Sequence, residues 1–129
     1  MIDDTNPKDL LGIRKPPLHL VAPALVLWVS KVFGYSAGKY GPYNWREKKV
    51  RLSIYLNAIE RHLLAMKDGQ ETDEESGLPH AAHIGANIAV ILDARATGNL
   101  LNDLTWKPGP APWIIKELTD DLDDARGNK

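Results

Sequence analysis

The sequence predicts an all-α protein: a small helical domain of three main helices, with an extended N-terminal segment before it and a Pro-rich linker to a short C-terminal helix after it. Three observations carry that prediction. Apolar residues recur at helical spacing in three segments, about 23–37, 50–67 and 79–97. Proline and glycine punctuate the chain between those segments. No stretch of useful length alternates apolar and polar residues as a half-buried strand does, and no internal repeat or low-complexity tract is present.

Residues 1–17 read as extended, because Asn6-Pro7 favours a turn and Pro16-Pro17 favours polyproline geometry. The first helix starts near Pro23, a good N1 residue, and runs to about Ala37. Leu25, Trp28, Val29 and Val32 are its expected core face, and Gly34, Gly38 and Gly41 weaken its end. Lys39 to Glu47 reads as a loop. The second helix spans about Val50 to Lys67, with an apolar stripe of Leu52, Tyr55, Leu56, Ile59, Leu63 and Met66, and Asp68-Gly69 ends it. Gln70 to Leu78 is an acidic, turn-rich loop. The third helix runs from about Pro79 to Thr97 and stops at Gly98-Asn99. Its Ala81, Ala82, Gly85, Ala86 and Ala89 let a neighbouring helix or a ligand come close, while Val90, Ile91 and Leu92 supply bulk. Pro108 to Pro112 makes a stiff linker. Trp113 to Ala125 reads as a short helix whose acidic end, Asp120 to Asp124, opposes the helix dipole and frays. The domain boundaries expected are 1–98 for the helical domain and 99–129 for linker and tail.

Composition narrows the function. A chain of 129 residues holds one core. A net charge of −1 and a pI near 6.4 argue against a non-specific nucleic-acid binder, which needs a basic surface. The absence of cysteine excludes disulfides, thiolate catalysis and Cys-ligated zinc, and suits a reducing cytosol. Met1-Ile2-Asp3-Asp4 lacks the basic start of a signal peptide, and the longest apolar run, Leu18 to Val32, is broken by His19, Pro23 and Ser30. A cytoplasmic protein with no membrane partner is expected.

The polar residues of the middle third point to a pocket. His80, His83 and Asn87 stand at i, i+3 and i+7, on one helical face that Ile84 and Ile91 share. They read either as a ligand or metal site or as capping and interhelical hydrogen bonding. Two imidazoles at that spacing can share an ion, with Glu71 or Asp73 adding oxygens, although no recognised zinc signature is present. Arg61, beside His62, reads either as a phosphate grip or as an ion-pair partner of Asp73 or Glu74. Lys39 and Arg46 bracket an aromatic loop in which Tyr40, Tyr43 or Trp45 can stack on a base and Asn44 can read its edge. The structural alternative makes Tyr40 and Trp45 lids over the core and Asn44 a turn residue. The acids of Glu71 to Glu75, and Glu71, Asp73 and Glu75 in particular, read as a solvated face, as helix-dipole partners or as Mg²⁺ ligands.

Taken in order, Asn6-Pro7-Lys8-Asp9, Pro16-Pro17-Leu18 through Ala24-Leu25, Lys39-Tyr40-Gly41-x-x-Asn44-Trp45-Arg46, Arg61-His62 and Asp73-x-Glu75-Ser76-Gly77-x-x-His80-x-x-His83-x-x-x-Asn87 resemble the dATP/dGTP diphosphohydrolase N-terminal domain family, widespread in bacteriophages. The resemblance covers about residues 5–95. It implies an all-α fold, Mg²⁺, a bacterial host cytoplasm, and hydrolysis of purine deoxynucleoside triphosphates to monophosphate and pyrophosphate.

Three functions follow. The reading favoured by sequence is a binding protein that holds, and sequesters, a purine nucleotide or a nucleotide-derived immune signal. In it Lys39, Arg46 and Arg61 hold phosphates, Tyr43 or Trp45 stacks, and Asn44, His62, His80, His83 and Asn87 contact base or ribose. The alternative is the diphosphohydrolase, with Glu71, Asp73 and Glu75 on Mg²⁺, Arg61 stabilising charge and His62 or His83 as base. The third is a structural helical protein. Small-residue helix faces favour a homo-oligomer.

Overall fold

The computed structural model describes residues 6–104 and 107–120. Its order is α1 (Pro7–Gly12), a 3₁₀ turn (Leu18–Leu20), α2 (Pro23–Tyr40), α3 (Asn44–Glu47), β1 (Val50–Arg51), α4 (Leu52–Lys67), α5 (His80–Ala96), β2 (Leu100–Leu101) and α6 (Ala111–Leu118). The all-α expectation holds, with α2, α4 and α5 as the three main helices. No helix of the described residues is long and apolar enough to cross a membrane.

Helix α5 is the hub, packed by α4 on one side and α2 on the other. Its small residues make this possible. Ala82, Ala86 and Ala94 are buried, and α2 comes so close at Gly85 that a Cβ there would stand 2.8 Å from Val29 Cγ2. Two apolar clusters result. One joins Val32, Ala82 and Ala86 with Val29 and Leu78. The other joins Val50, Val90 and Ala94 with Trp45, Tyr55 and Leu100, and Phe33 packs against both.

The ends of α4 and α5 are laced together at the far end from the α5 N-terminus. Val50 pairs with Leu100 and Arg51 with Leu101 in a parallel two-residue ladder. Asp103, just beyond β2, caps α4: Ser53 N–H donates to Oδ1 at 2.9 Å and the Ser53 hydroxyl to Oδ2 at 2.6 Å. These bonds hold the Asp103 carboxyl below its ordinary pKa.

Several local expectations are corrected. Residues 7–12 are helical rather than extended, because Asn6 acts as an N-cap, accepting from Lys8 N–H at 3.0 Å, and Pro7 occupies the first turn. Helix α2 continues to Tyr40, where Gly41 at φ +84° supplies the left-handed exit that a side chain disfavours. The loop expected over 39–47 contains α3, entered through Tyr43 at φ +56°. Leu25 and Trp28, expected in the core, are each 50% exposed. The face Leu25 shares with Val26, Ile88 and Leu92 is an open groove, with no third layer over it among the described residues. On α4, Leu63 and Met66 are likewise exposed, and the half-buried position between Ile59 and Ala65 is taken by His62. Helix α6 starts at Ala111 and ends at Leu118, and the acidic stretch from Asp121 to Asp124 lies outside the described residues.

Candidate functional site

The turn between α4 and α5 builds the site's floor. Gly69 at φ +92° and Gly77 at φ +72° let the chain reverse twice, and Thr72 pairs with Pro79 across the loop. Asp73 organises the bend: its Oδ2 accepts from Ser76 N–H at 2.9 Å, its N–H donates to Leu78 O and its carbonyl accepts from Gly77 N–H. Glu71 contributes its backbone carbonyl, which accepts from His80 N–H at 2.9 Å, while its side chain stays exposed.

Three histidines then meet. His80, 3% exposed, leads α5, and its Nε2 lies 2.7 Å from Gln70 Oε1. Gln70 in turn donates from Nε2 to Glu74, which fixes its amide so that Oε1 accepts from His80. His80 Nδ1 is 2.8 Å from His62 Nδ1, so the simplest proton assignment has His62 donating to His80. The His62 ring stacks on His83 at 4.6 Å with 7° between planes. Ser76 Oγ accepts from Leu78 N–H, which leaves its hydroxyl to donate to His83 Nε2 at 2.7 Å. Burial lowers the pKa of both His62 and His83, and for His62 the neighbouring His83 and His80 lower it further. Burial pushes Asp73 upward, but the Ser76 hydrogen bonds and the nearby His83 and His62 outweigh it and hold the carboxyl low.

These groups face a cavity of about 440 Å³ whose other wall comes from α2 and α4: Tyr35, Ser36, Lys39, Tyr40 and Arg61. Glu75 Oε1 accepts from Lys39 Nζ at 2.6 Å and from the Tyr35 hydroxyl at 2.9 Å. The Lys39 and Tyr35 hydrogen bonds hold Glu75 below its ordinary pKa, and the bond to Glu75 raises both partners. Arg61 makes no ion pair among the described residues, so the pairing with Asp73 or Glu74 that the sequence left open is not formed.

The sequence-selected residues thus divide. Lys39, Arg61, His62, Asp73, Glu75, His80 and His83 line one cavity. Asn44, Trp45 and Asn87 line a smaller adjoining hollow of about 130 Å³, which shares Ser36, Tyr40 and His83 with the first. Asn87 Nδ2 also donates to His83 O at 2.8 Å. Arg46 points elsewhere: its Nε and Nη2 make a bidentate pair with Asp93 at 2.8 and 3.0 Å, and Trp45 Nε1 donates to the same carboxylate at 2.7 Å. The Asp93 carboxyl is held down at about 2 by Arg46 first and Trp45 second. Tyr43 is exposed beside Trp45, with the Arg46 guanidinium 5.9 Å from its ring. Ile84 and Ile91, expected as walls, do not line the cavity; Tyr35 and Tyr40 do. Tyr35 and Gln70 were missed. Tyr35 stands one turn before Lys39, a spacing that could have marked it.

A divalent metal has candidate ligands. One donor atom each from His62, Asp73 and His80 lies within 4.8 Å of the others. This nitrogen-rich set does not fit a resident Mg²⁺, which takes an oxygen shell. Of the acids expected on Mg²⁺, only Asp73 joins the group, since Glu75 is engaged by Lys39 and Tyr35.

Comparison with known proteins agrees with this part of the chain. The family described as "dATP/dGTP diphosphohydrolase, N-terminal" matches residues 5–104. A dATP/dGTP diphosphohydrolase of Salmonella phage PMBT28 is 35% identical over 77 residues, which is 60% of this chain and 26% of the relative. This chain therefore corresponds to about a quarter of that relative's length. No solved structure matches. A match spanning the three main helices and every residue lining the cavity places the chain in the dATP/dGTP diphosphohydrolase N-terminal family.

Proposed function

We propose that the cavity between α2, α4 and α5 binds the phosphates of a purine deoxynucleoside triphosphate, in the service of its hydrolysis to monophosphate and pyrophosphate. One observation carries the reading: an arginine that makes no ion pair among the described residues lines a 440 Å³ cavity beside Lys39 and His83, all three able to donate hydrogen bonds to phosphate oxygens. The base then lies toward the adjoining hollow, where Tyr40 and Trp45 offer ring faces and Asn44 and Asn87 offer carboxamides that can both donate to and accept from a purine edge. Arg61 and Lys39 are balanced in formal charge by Asp73 and Glu75, so a polyphosphate enters with its own divalent cation, as a magnesium–nucleotide complex.

In the hydrolytic step a water oxygen bonds to the α-phosphorus, the bond from that phosphorus to the pyrophosphate oxygen breaks, and pyrophosphate leaves. Arg61 stabilises the charge that develops on the phosphoryl oxygens, and His83, kept neutral by burial, takes the water's proton. A second reading, retention of an intact nucleotide or nucleotide-derived signal in the host cytoplasm, is favoured by the scarcity of acids: among the described residues only Asp73 and Glu75 line the cavity, where two-metal chemistry uses several converging carboxylates. The name of the phage relative favours hydrolysis. The open groove at Leu25, Val26, Ile88 and Leu92 supports self-association into a homo-oligomer.

The test is to incubate the purified chain with dATP, dGTP and other nucleotides, with and without Mg²⁺, denature it, and identify the small molecules. Monophosphate with pyrophosphate is the expected result. Intact nucleotide released only on denaturation establishes retention instead. Nucleotide neither bound nor changed refutes both.

A further inference from the structure

We infer that His62, His80 and Asp73 form a resident binding site for a divalent metal ion of the zinc class, one that prefers imidazole ligands, rather than for Mg²⁺. The inference concerns the protein's own metal and does not require that a nucleotide binds.

The geometry is that of a coordination edge. Two nitrogens bound to one ion at about 2.0–2.1 Å stand about 2.9–3.3 Å apart, depending on whether the angle is octahedral or tetrahedral. His62 Nδ1 and His80 Nδ1 are 2.8 Å apart, so a shift of a few tenths of an ångström converts the hydrogen-bonded pair into a ligand pair. The single hydrogen they share moves to His62 Nε2, and both rings stay neutral. The carboxylate of Asp73 completes a set of two nitrogens and one oxygen within 4.8 Å of one another. Such a set suits zinc, cobalt or nickel, whereas magnesium takes oxygens and waters.

The surroundings match those of a metal site. Ligating histidines usually donate their other ring nitrogen to a fixed acceptor, and His80 Nε2 does so to Gln70 Oε1 at 2.7 Å. Asp73 is held by Ser76 N–H at 2.9 Å. His80 is buried, while His62 is half-buried and lines the cavity, which gives the ion a way in and leaves room for water or a phosphate oxygen beside it. A purely structural histidine pair explains the hydrogen bond, but it does not call for a carboxylate oxygen within 4.8 Å of both ring nitrogens on the wall of an open cavity.

The experiment uses the whole chain, stripped with chelator, with no nucleotide present. Zn²⁺ titrated by calorimetry should bind once per chain, and Co²⁺ should give the intense visible absorption of a four- or five-coordinate site. Millimolar Mg²⁺ should not displace either. His62→Gln and Asp73→Asn should each weaken Zn²⁺ binding by roughly a hundredfold or more with circular dichroism unchanged. Gln70→Ala, on an exposed residue outside the ligand set, should weaken it by roughly tenfold to a hundredfold. His19→Ala removes the fourth histidine of the chain and should change nothing. Absence of saturable Zn²⁺ binding overturns the inference. So does binding that survives His62→Gln in the folded protein, or binding lost in His19→Ala. Nucleotide binding measured on the stripped chain reports separately on the function proposed above.

Discussion

Replacing Arg61 by alanine tests the site where its logic is most exposed. Arg61 lines the cavity from α4 and makes no ion pair among the described residues. The free protein therefore loses no internal contact of that kind, and the fold should survive. A charge-assisted hydrogen bond contributes about 1.5–3 kcal/mol. Because the arginine is exposed before ligand arrives, the lower part of that range applies, about 1.5–2 kcal/mol, which corresponds to roughly 12- to 30-fold in affinity. Calorimetric titration of dGTP or dATP into Arg61→Ala should give a dissociation constant raised by that factor, with unchanged helical circular dichroism. Arg46→Ala is the matched control. It removes the same charge from a residue committed to Asp93, so it should lower the thermal midpoint and leave affinity within about twofold. Wild-type affinity in a folded Arg61→Ala protein, or equal losses in the two variants, would show that the phosphates do not sit where we place them.

Gly85→Ala should destabilise the chain despite the gain of about 1 kcal/mol in helix propensity, since the new methyl would stand 2.8 Å from Val29 Cγ2 and overpacking costs about 1–3 kcal/mol; a higher urea midpoint would mean that α2 yields freely. The Asp93 carboxyl is held at about 2 against an ordinary 3.8, so the stability it contributes is complete above about pH 3.8 and drains away as pH falls toward 2; Asp93→Asn should lower the midpoint at neutral pH and flatten that acid limb. If the open α2–α5 face mediates self-association, Leu25→Asp should shift the oligomer to monomer in analytical ultracentrifugation, whereas an unchanged sedimentation coefficient would remove that face from any interface.

Most of the helical framework was legible because its signals are local. Pro23 marks the start of α2, Gly69 follows the end of α4 and Gly98 that of α5, whereas α2 runs past the expected end at Ala37 to Gly41. The small residues of α5 correctly signalled a close helix approach, which turned out to be α2 at Gly85. Helix α1 was misread even though its signal was present, since an asparagine before proline is both a turn former and an N-cap followed by a favoured first residue. The ladder between Val50 and Leu100 had no local signature. Two residues alternate with nothing, and their partners lie fifty positions away.

The division of the candidate site teaches more. An aromatic stretch bracketed by cations, Lys39 to Arg46, is the pattern of a ligand loop, but the same pattern serves a core lid if a carboxylate is waiting. Asp93 is that carboxylate, and it takes Trp45 and Arg46 together across 48 and 47 residues of sequence. Nothing near Arg46 announces it. Lys39 is likewise met by Glu75, 36 residues on. Arg61 meets no such acid among the described residues, although Asp73 and Glu74 were sequence-plausible partners, because the Asx-type turn at Asp73 commits that carboxylate to Ser76 N–H and toward the histidines. Whether Lys39 and Arg61 belong to the fold or to a ligand is therefore decided by where the loop between α4 and α5 sends its acids, while Arg46 is claimed by Asp93 of α5 itself. That loop, with its two left-handed glycines, is what leaves one guanidinium without an ion pair among the described residues, on the wall of a cavity lined by three imidazoles.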